Sequence, residues 1–148
     1  MVIVDPPLAD ITSSSLTRFV RQAQKLAGVA GQVDVLITGN RQVRELNRRF
    51  RKHDKSTDVL SFPGANGEGG DIAIAAPIAV RNAARYRHAA SDELKVLILH
   101  GLLHLAGYDH ERDHGRMAAK ENRLRARLRL PSALIQRSNG KGGKSRKT

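Results

Sequence analysis

Val96-Leu-Ile-Leu-His100-Gly-Leu-Leu-His104-Leu-Ala-Gly107-Tyr-Asp-His110 is the stretch on which the reading of this chain turns. Two histidines four residues apart on a helix project from one face about one turn apart, so both imidazoles can reach a single ion. His110 needs a turn to join them. Gly107 supplies it, because a glycine at a helix C-terminus takes the left-handed conformation that lets the chain double back. Three nitrogens leave a tetrahedral position open, which on zinc marks a catalytic site, where a bound water has its pKa lowered toward ~7.

The surroundings argue in the same direction. Leu97, Leu99, Leu102, Leu103 and Leu105 make the helix apolar almost all round, so it is expected to be buried. Burying imidazoles there is costly without partners, and a metal removes that cost. His53, His88 and His114, taken singly, read as satisfied core, boundary or surface residues. His114 is out of register and would be a fourth ligand only if its loop folded back.

At 148 residues the chain is long enough for one core and short for two, so one domain is expected. It has no cysteine, which excludes disulfides and thiolate zinc sites and leaves histidine and carboxylate as ligands. No apolar run approaches the ~18 residues of a membrane span, and residues 1–7 lack a basic-then-apolar leader. A cytoplasmic protein is expected. Lys and Arg outnumber Asp and Glu by 26 to 14, a net +12, so a polyanion is a natural partner and RNA the first candidate. Arg137, Lys141, Lys144, Arg146 and Lys147 form a basic tail expected to be disordered, yet about +7 of the +12 remains without them. The five aromatics, Phe19, Phe50, Phe62, Tyr86 and Tyr108, are expected mostly in the core, so phosphate contacts rather than base stacking should carry binding.

Periodicity predicts a mixed architecture. Residues 2–4 read as a short strand, and Ser14 or Ser15 caps a helix bearing Leu16, Phe19, Val20 and Ala23 that ends at residues 28–31. Val33, Val35 and Ile37 alternate as a half-buried strand. Asn40 then caps a second helix with Val43, Leu46 and Phe50 on one face and Arg41, Arg44, Arg48, Arg49 and Arg51 elsewhere, a phosphate-facing or simply solvated surface. Residues 58–62 and 71–75 form a hairpin across the glycine-rich segment 63–70. Pro77 opens a helix, residues 88–91 make a junction, and Asp92 and Glu93 place negative charge at the N-terminal end of the histidine helix. A last helix through Met117, Leu124 and Leu128 stops at Pro131.

The histidine and glycine spacing equals that of the zinc proteases with H-E-x-x-H-x-x-G-x-x-H, but Gly101 stands where those enzymes carry their general base. Peptide hydrolysis by that route is disfavoured. RNA asks less of such a base, because its phosphodiester binds a metal and its 2′-hydroxyl lies beside the phosphorus.

The run from His100 to His110 resembles the signature of the YbeY family of bacterial ribosomal RNA maturation factors, metal-dependent single-strand endoribonucleases. Leu46-Asn-Arg-Arg-Phe-Arg51, leading through Asp54-Lys55 into Thr57-Asp-Val-Leu-Ser-Phe-Pro63, is similar to that family's second block. Gly70-Asp-Ile-Ala-Ile74 is similar to its third, and residues 117–121 to its C-terminal helix. The likeness runs in order over residues 33–130.

The resemblance implies a single α+β domain, a small mixed β-sheet packed with about five helices, with a zincin-like site in which His100, His104 and His110 hold one zinc. Nickel and copper suit the same imidazoles. It implies an endoribonuclease domain over residues 1–134 followed by the basic tail 135–148, with Arg51 meeting the scissile phosphate, where a guanidinium beside a metal stabilises phosphoryl charge. Its expected partners are single-stranded RNA, precursor rRNA and the ribosomal small subunit, with small-subunit rRNA 3′-end maturation and ribosome quality control as the process. Asp109 stands between ligands and would orient a histidine, act on a proton or cap the turn. Asp54 and Asp58 read as loop caps. Two other classes remain open: a non-catalytic ribosome assembly factor with a structural metal and a basic RNA-binding surface, and a peptidase or other hydrolase on the same metal scaffold. Within the nuclease reading, water and the 2′-hydroxyl are both open as nucleophile.

Overall fold

The alternation at Val33, Val35 and Ile37 does what a period of two should. All three side chains are buried on one face of a strand, while Asp34 and Leu36 lie on the other and are only half-buried. That strand, β2 (Val33–Thr38), lies inside a four-stranded sheet built with β1 (Val2–Val4), β3 (Val59–Pro63) and β4 (Gly70–Ala75) in the order β1-β2-β4-β3. β1, β2 and β4 run parallel, in register Val4 with Ile37 and Ile37 with Ile74. β3 is antiparallel to β4, closing the expected hairpin with Val59 opposite Ile74 and Pro63 opposite Gly70. The computed structural model describes residues 1–51, 57–109 and 113–131, and of Arg51 the backbone only.

Five helices accompany the sheet among the described residues: α1 (Ser13–Ala27), α2 (Asn40–Arg51), α3 (Ala76–Tyr86), α4 (Ala90–Leu105) and α5 (Arg116–Arg127). The α+β architecture with a small mixed sheet is therefore the one expected. Leu16, Phe19, Val20 and Ala23 of α1 join Val35, Ile37, Ile72 and Ile74 of the sheet and Leu94, Ile98, Leu99, Leu102 and Leu103 of α4 in one core. α4 is the apolar centre of the molecule: Ile98, Leu99, Leu102 and Leu103 are fully buried, each contributing ~1.5–3 kcal/mol. A smaller cluster, Val43, Leu60, Ala73 and Ala75, seats α2 on the opposite face of the sheet.

Several local expectations are corrected. Thr12, not Ser14 or Ser15, caps α1, its Oγ1 accepting from the Ser15 amide at 3.2 Å. Asn40 does not cap α2. It is the first helical residue, its Oδ1 is buried without a hydrogen-bond partner among the described residues, and the Gly39 carbonyl accepts from the Val43 amide instead. Phe50 is 60% exposed because the apolar patch under α2 runs out before its last turn, leaving the ring edge-on to Phe62 at 5.8 Å between centroids. Glu93 is more than a charge at a helix end. It is wholly buried, accepts a hydrogen bond from His88 Nε2 at 2.7 Å and ties the α3–α4 junction to α4. His88 is thus a boundary histidine satisfied at Nε2, while its Nδ1 is buried with no hydrogen-bond partner among the described residues.

Candidate metal centre

His100 and His104 occupy the last two turns of α4, and their Nε2 atoms face each other 3.2 Å apart, with ring centroids at 4.8 Å. Two imidazole nitrogens at zinc-bonding distance on adjacent tetrahedral corners stand ~3.3 Å apart, so the pair fits one ion. α4 ends as the sequence predicts. Gly107 has φ 101°, its amide donates to the His104 carbonyl at 3.0 Å, and the Tyr108 amide donates to Leu103 at 3.1 Å. This double bond pattern is a Schellman motif, and it turns the chain away from the helix axis directly after the second histidine. His110 lies outside the described residues, as do His53 and Asp54. Among the described residues no group of three His, Asp or Glu side chains converges for a metal.

The turn opens onto a cavity of about 420 Å³ lined by Ala106, Gly107, Tyr108, Asp109, Asp113 and Arg116. Asp109 is exposed on its wall. Asp113 is spent locally, its carboxylate accepting from the Gly115 and Met117 amides at the start of α5. His114 is exposed, with φ 55°, as a surface residue.

Gly101 faces β3 and β4. The Ser61 hydroxyl donates to its carbonyl at 3.1 Å, and a Cβ at this position would stand 3.0–3.1 Å from Ile72 and Ser61 side-chain atoms, so a side chain fits only if those neighbours give by a few tenths of an ångström. Glycine between the histidines suits this close packing: the helix turn that carries them is pressed on the sheet.

One residue of the centre escaped sequence reasoning. Glu121 of α5 accepts a hydrogen bond from His100 Nδ1 at 3.2 Å. Its other oxygen accepts from Arg125 Nε at 3.1 Å and from Nη2, and Arg125 Nη1 donates to the Pro131 carbonyl at 3.1 Å. Burial works to raise the Glu121 carboxyl, but the His100 hydrogen bond and charge, together with the Arg125 guanidinium, outweigh it and hold the group at about 2. The signal was present in the sequence: Met117, Glu121, Leu124 and Arg125 share one helical face, and charge on a face otherwise apolar marks a partner inside.

Arg51 closes α2, and its side chain lies outside what is described. The other arginines of that helix are exposed, with Arg48 paired to Glu45 and Arg49 lying over the Phe50 ring at 5.2 Å.

A small mixed sheet backed by a buried helix that presents two histidines one turn apart defines a single-domain α+β protein. Residues 6–129 match the family model of the endoribonuclease YbeY, and the chain belongs to that family. It is 52% identical to the endoribonuclease YbeY of Koribacter versatilis over 148 residues, covering 99% of this chain and 97% of that one. It is 46% identical to the protein of the same name from Solibacter usitatus over 129 residues, 87% and 88% of the two chains. The solution structure of a Thermotoga maritima protein is similar, with a TM-score of 0.56 and 30% identity over 83% of this chain and 85% of that one. No helix among the described residues is long and apolar enough to cross a membrane.

Proposed function

We propose that the chain is a metal-dependent, single-strand-specific endoribonuclease that matures the 3′ end of small-subunit rRNA and acts in ribosome quality control in the cytoplasm. The observation that carries the reading is the opposed Nε2 pair of His100 and His104 at 3.2 Å, in a chain belonging to an endoribonuclease family. His110, three residues beyond Gly107 in the sequence, completes the ligand set in this reading. The ion is one zinc, for which nickel and copper compete with the same imidazoles. When bound it supplies a Lewis acid for the phosphoryl oxygens.

The remaining work falls to the chain. Arg51, on the last residue of α2, neutralises the scissile phosphate, and the net charge of +12 favours precursor rRNA and the small subunit as partners. The domain runs over residues 1–134, with the basic tail 135–148 adding non-specific affinity for RNA. A purely structural metal in an assembly factor is the weaker reading, because the relatives share an enzyme's name over nearly the whole length.

The test is cleavage of an end-labelled single-stranded rRNA precursor by zinc-loaded protein, beside Arg51→Ala and His100→Ala/His104→Ala checked for folding by circular dichroism. Cutting by the wild type and loss of cutting in both folded variants is the expected result. Cutting that persists without the histidines overturns the proposal. A 5′-phosphate product assigns water as nucleophile, and a cyclic phosphate with a 5′-hydroxyl assigns the 2′-hydroxyl.

A further inference from the structure

We infer that Glu121 is the positioning residue of the centre, fixing His100 with its proton on Nδ1 and its Nε2 lone pair toward the ion. Arg125 and the Pro131 carbonyl hold Glu121 in turn. The inference deepens the reading that His100 and His104 bind a metal, and rests on it for its functional consequence.

A neutral imidazole has two tautomers, and only the Nδ1-protonated one leaves Nε2 as a donor. His100 Nε2 points at His104 Nε2, while its Nδ1 points at the Glu121 carboxylate 3.2 Å away. An ionised carboxylate is acceptor-only, so it selects the Nδ1–H form and makes the ring a better donor. The carboxylate is itself immobilised. It is 12% exposed, and the Arg125 guanidinium on its second oxygen is 4% exposed. Glu121 and Arg125 sit one turn apart on α5, and Arg125 Nη1 reaches the Pro131 carbonyl just beyond the helix. A chain of hydrogen bonds thus runs from the end of α5 to the ring nitrogen of a ligand on α4. Both Glu121 oxygens are engaged, one by His100 and one by Arg125, which suits an orienting role and not that of a ligand.

A buried ion pair also fastens helices together, so the test separates positioning from packing. Breaking a buried pair on one side destabilises the fold, whereas replacing both members by apolar residues of similar volume is tolerated. The informative variants are therefore Glu121→Leu/Arg125→Met, which removes the acceptor, and Glu121→Gln/Arg125→Met, which keeps an amide oxygen for Nδ1–H. Zinc affinity is measured by chelator competition, and the His100 tautomer by ¹⁵N imidazole shifts in zinc-free protein at about pH 9, above the histidine range.

The expected result is an Nδ1-protonated His100 in the wild type, zinc binding about 10–100-fold weaker with mixed tautomers in the leucine variant, and recovery of most of the affinity in the glutamine variant. Wild-type zinc affinity in a folded leucine variant overturns the inference. So does an Nε2-protonated His100 in the wild type, a measurement that needs no variant. Failure of the metal reading looks different: a wild type that binds zinc no better than His100→Ala/His104→Ala overturns that reading while the tautomer still reports on Glu121.

Discussion

Gly101 and Ile72 are packed so closely that a Cβ on the glycine would stand 3.0 Å from Ile72 Cδ1 and 3.1 Å from its Cγ2. The α-carbon between the two histidines thereby lies close against β4. A glutamate at this position would force its carboxylate into the core. Gly101→Glu is expected to cost about 3 kcal/mol or more and to confer no peptidase activity. Urea denaturation checks the first part, and a variant as stable as the wild type would remove the packing explanation.

Acid should release the Glu121 contacts. The carboxyl is lowered from its ordinary 4.5 to about 2 in the folded chain, so it stabilises the fold above the unfolded value. That contribution, about 3 kcal/mol for the shift, is lost as pH falls from the ordinary carboxylate range toward about 2. Glu121→Gln has no such group to titrate. The stability gap between wild type and this variant, followed by urea midpoints from about pH 6 down to about pH 3, should therefore narrow with acid. Parallel curves would show that Glu121 is not the group responsible.

At the α3–α4 junction, neighbouring acids should behave very differently. Asp92 is half-buried in the first turn of α4, where replacing it with alanine should cost ~0.3–1 kcal/mol through the helix dipole. His88→Ala removes the 2.7 Å contact to the wholly buried Glu93, whose contact from Asn82 is longer at 3.5 Å, and should cost about 3 kcal/mol. Thermal melts of the two variants decide it, and equal losses would mean that Glu93 finds enough support elsewhere.

Gly107 terminates α4 three residues after His104. Its φ of 101° lies where a side chain is strained, so Gly107→Ala should destabilise the fold by ~1–3 kcal/mol. Because His110, the proposed third ligand, follows Gly107 in the sequence, zinc affinity should fall together with stability. Calorimetric zinc titration of the folded variant is the check. An unchanged affinity would separate His110 from the ligand set.

Much of this protein was legible along the chain because its signals are local. The period of two at Val33, Val35 and Ile37, the spacing of His100 and His104 on an apolar helix, and the left-handed glycine that ends it depend on residues within one or two turns of each other. Neighbour chemistry sets such features before any tertiary contact exists. The starts of α1 and α2 were misread because several polar residues compete for a cap, and small differences in backbone geometry choose between them.

Tertiary packing alone decided the contacts that join distant segments. Glu121 is 21 residues from His100, and Ser61 is 40 from Gly101, separations at which no periodicity carries information. Which carboxylate reaches His100, which glycine packs closely on the sheet and why Phe50 is left in solvent follow from how α4, α5 and the sheet meet. Burial is a property of the assembled layers and of no single segment.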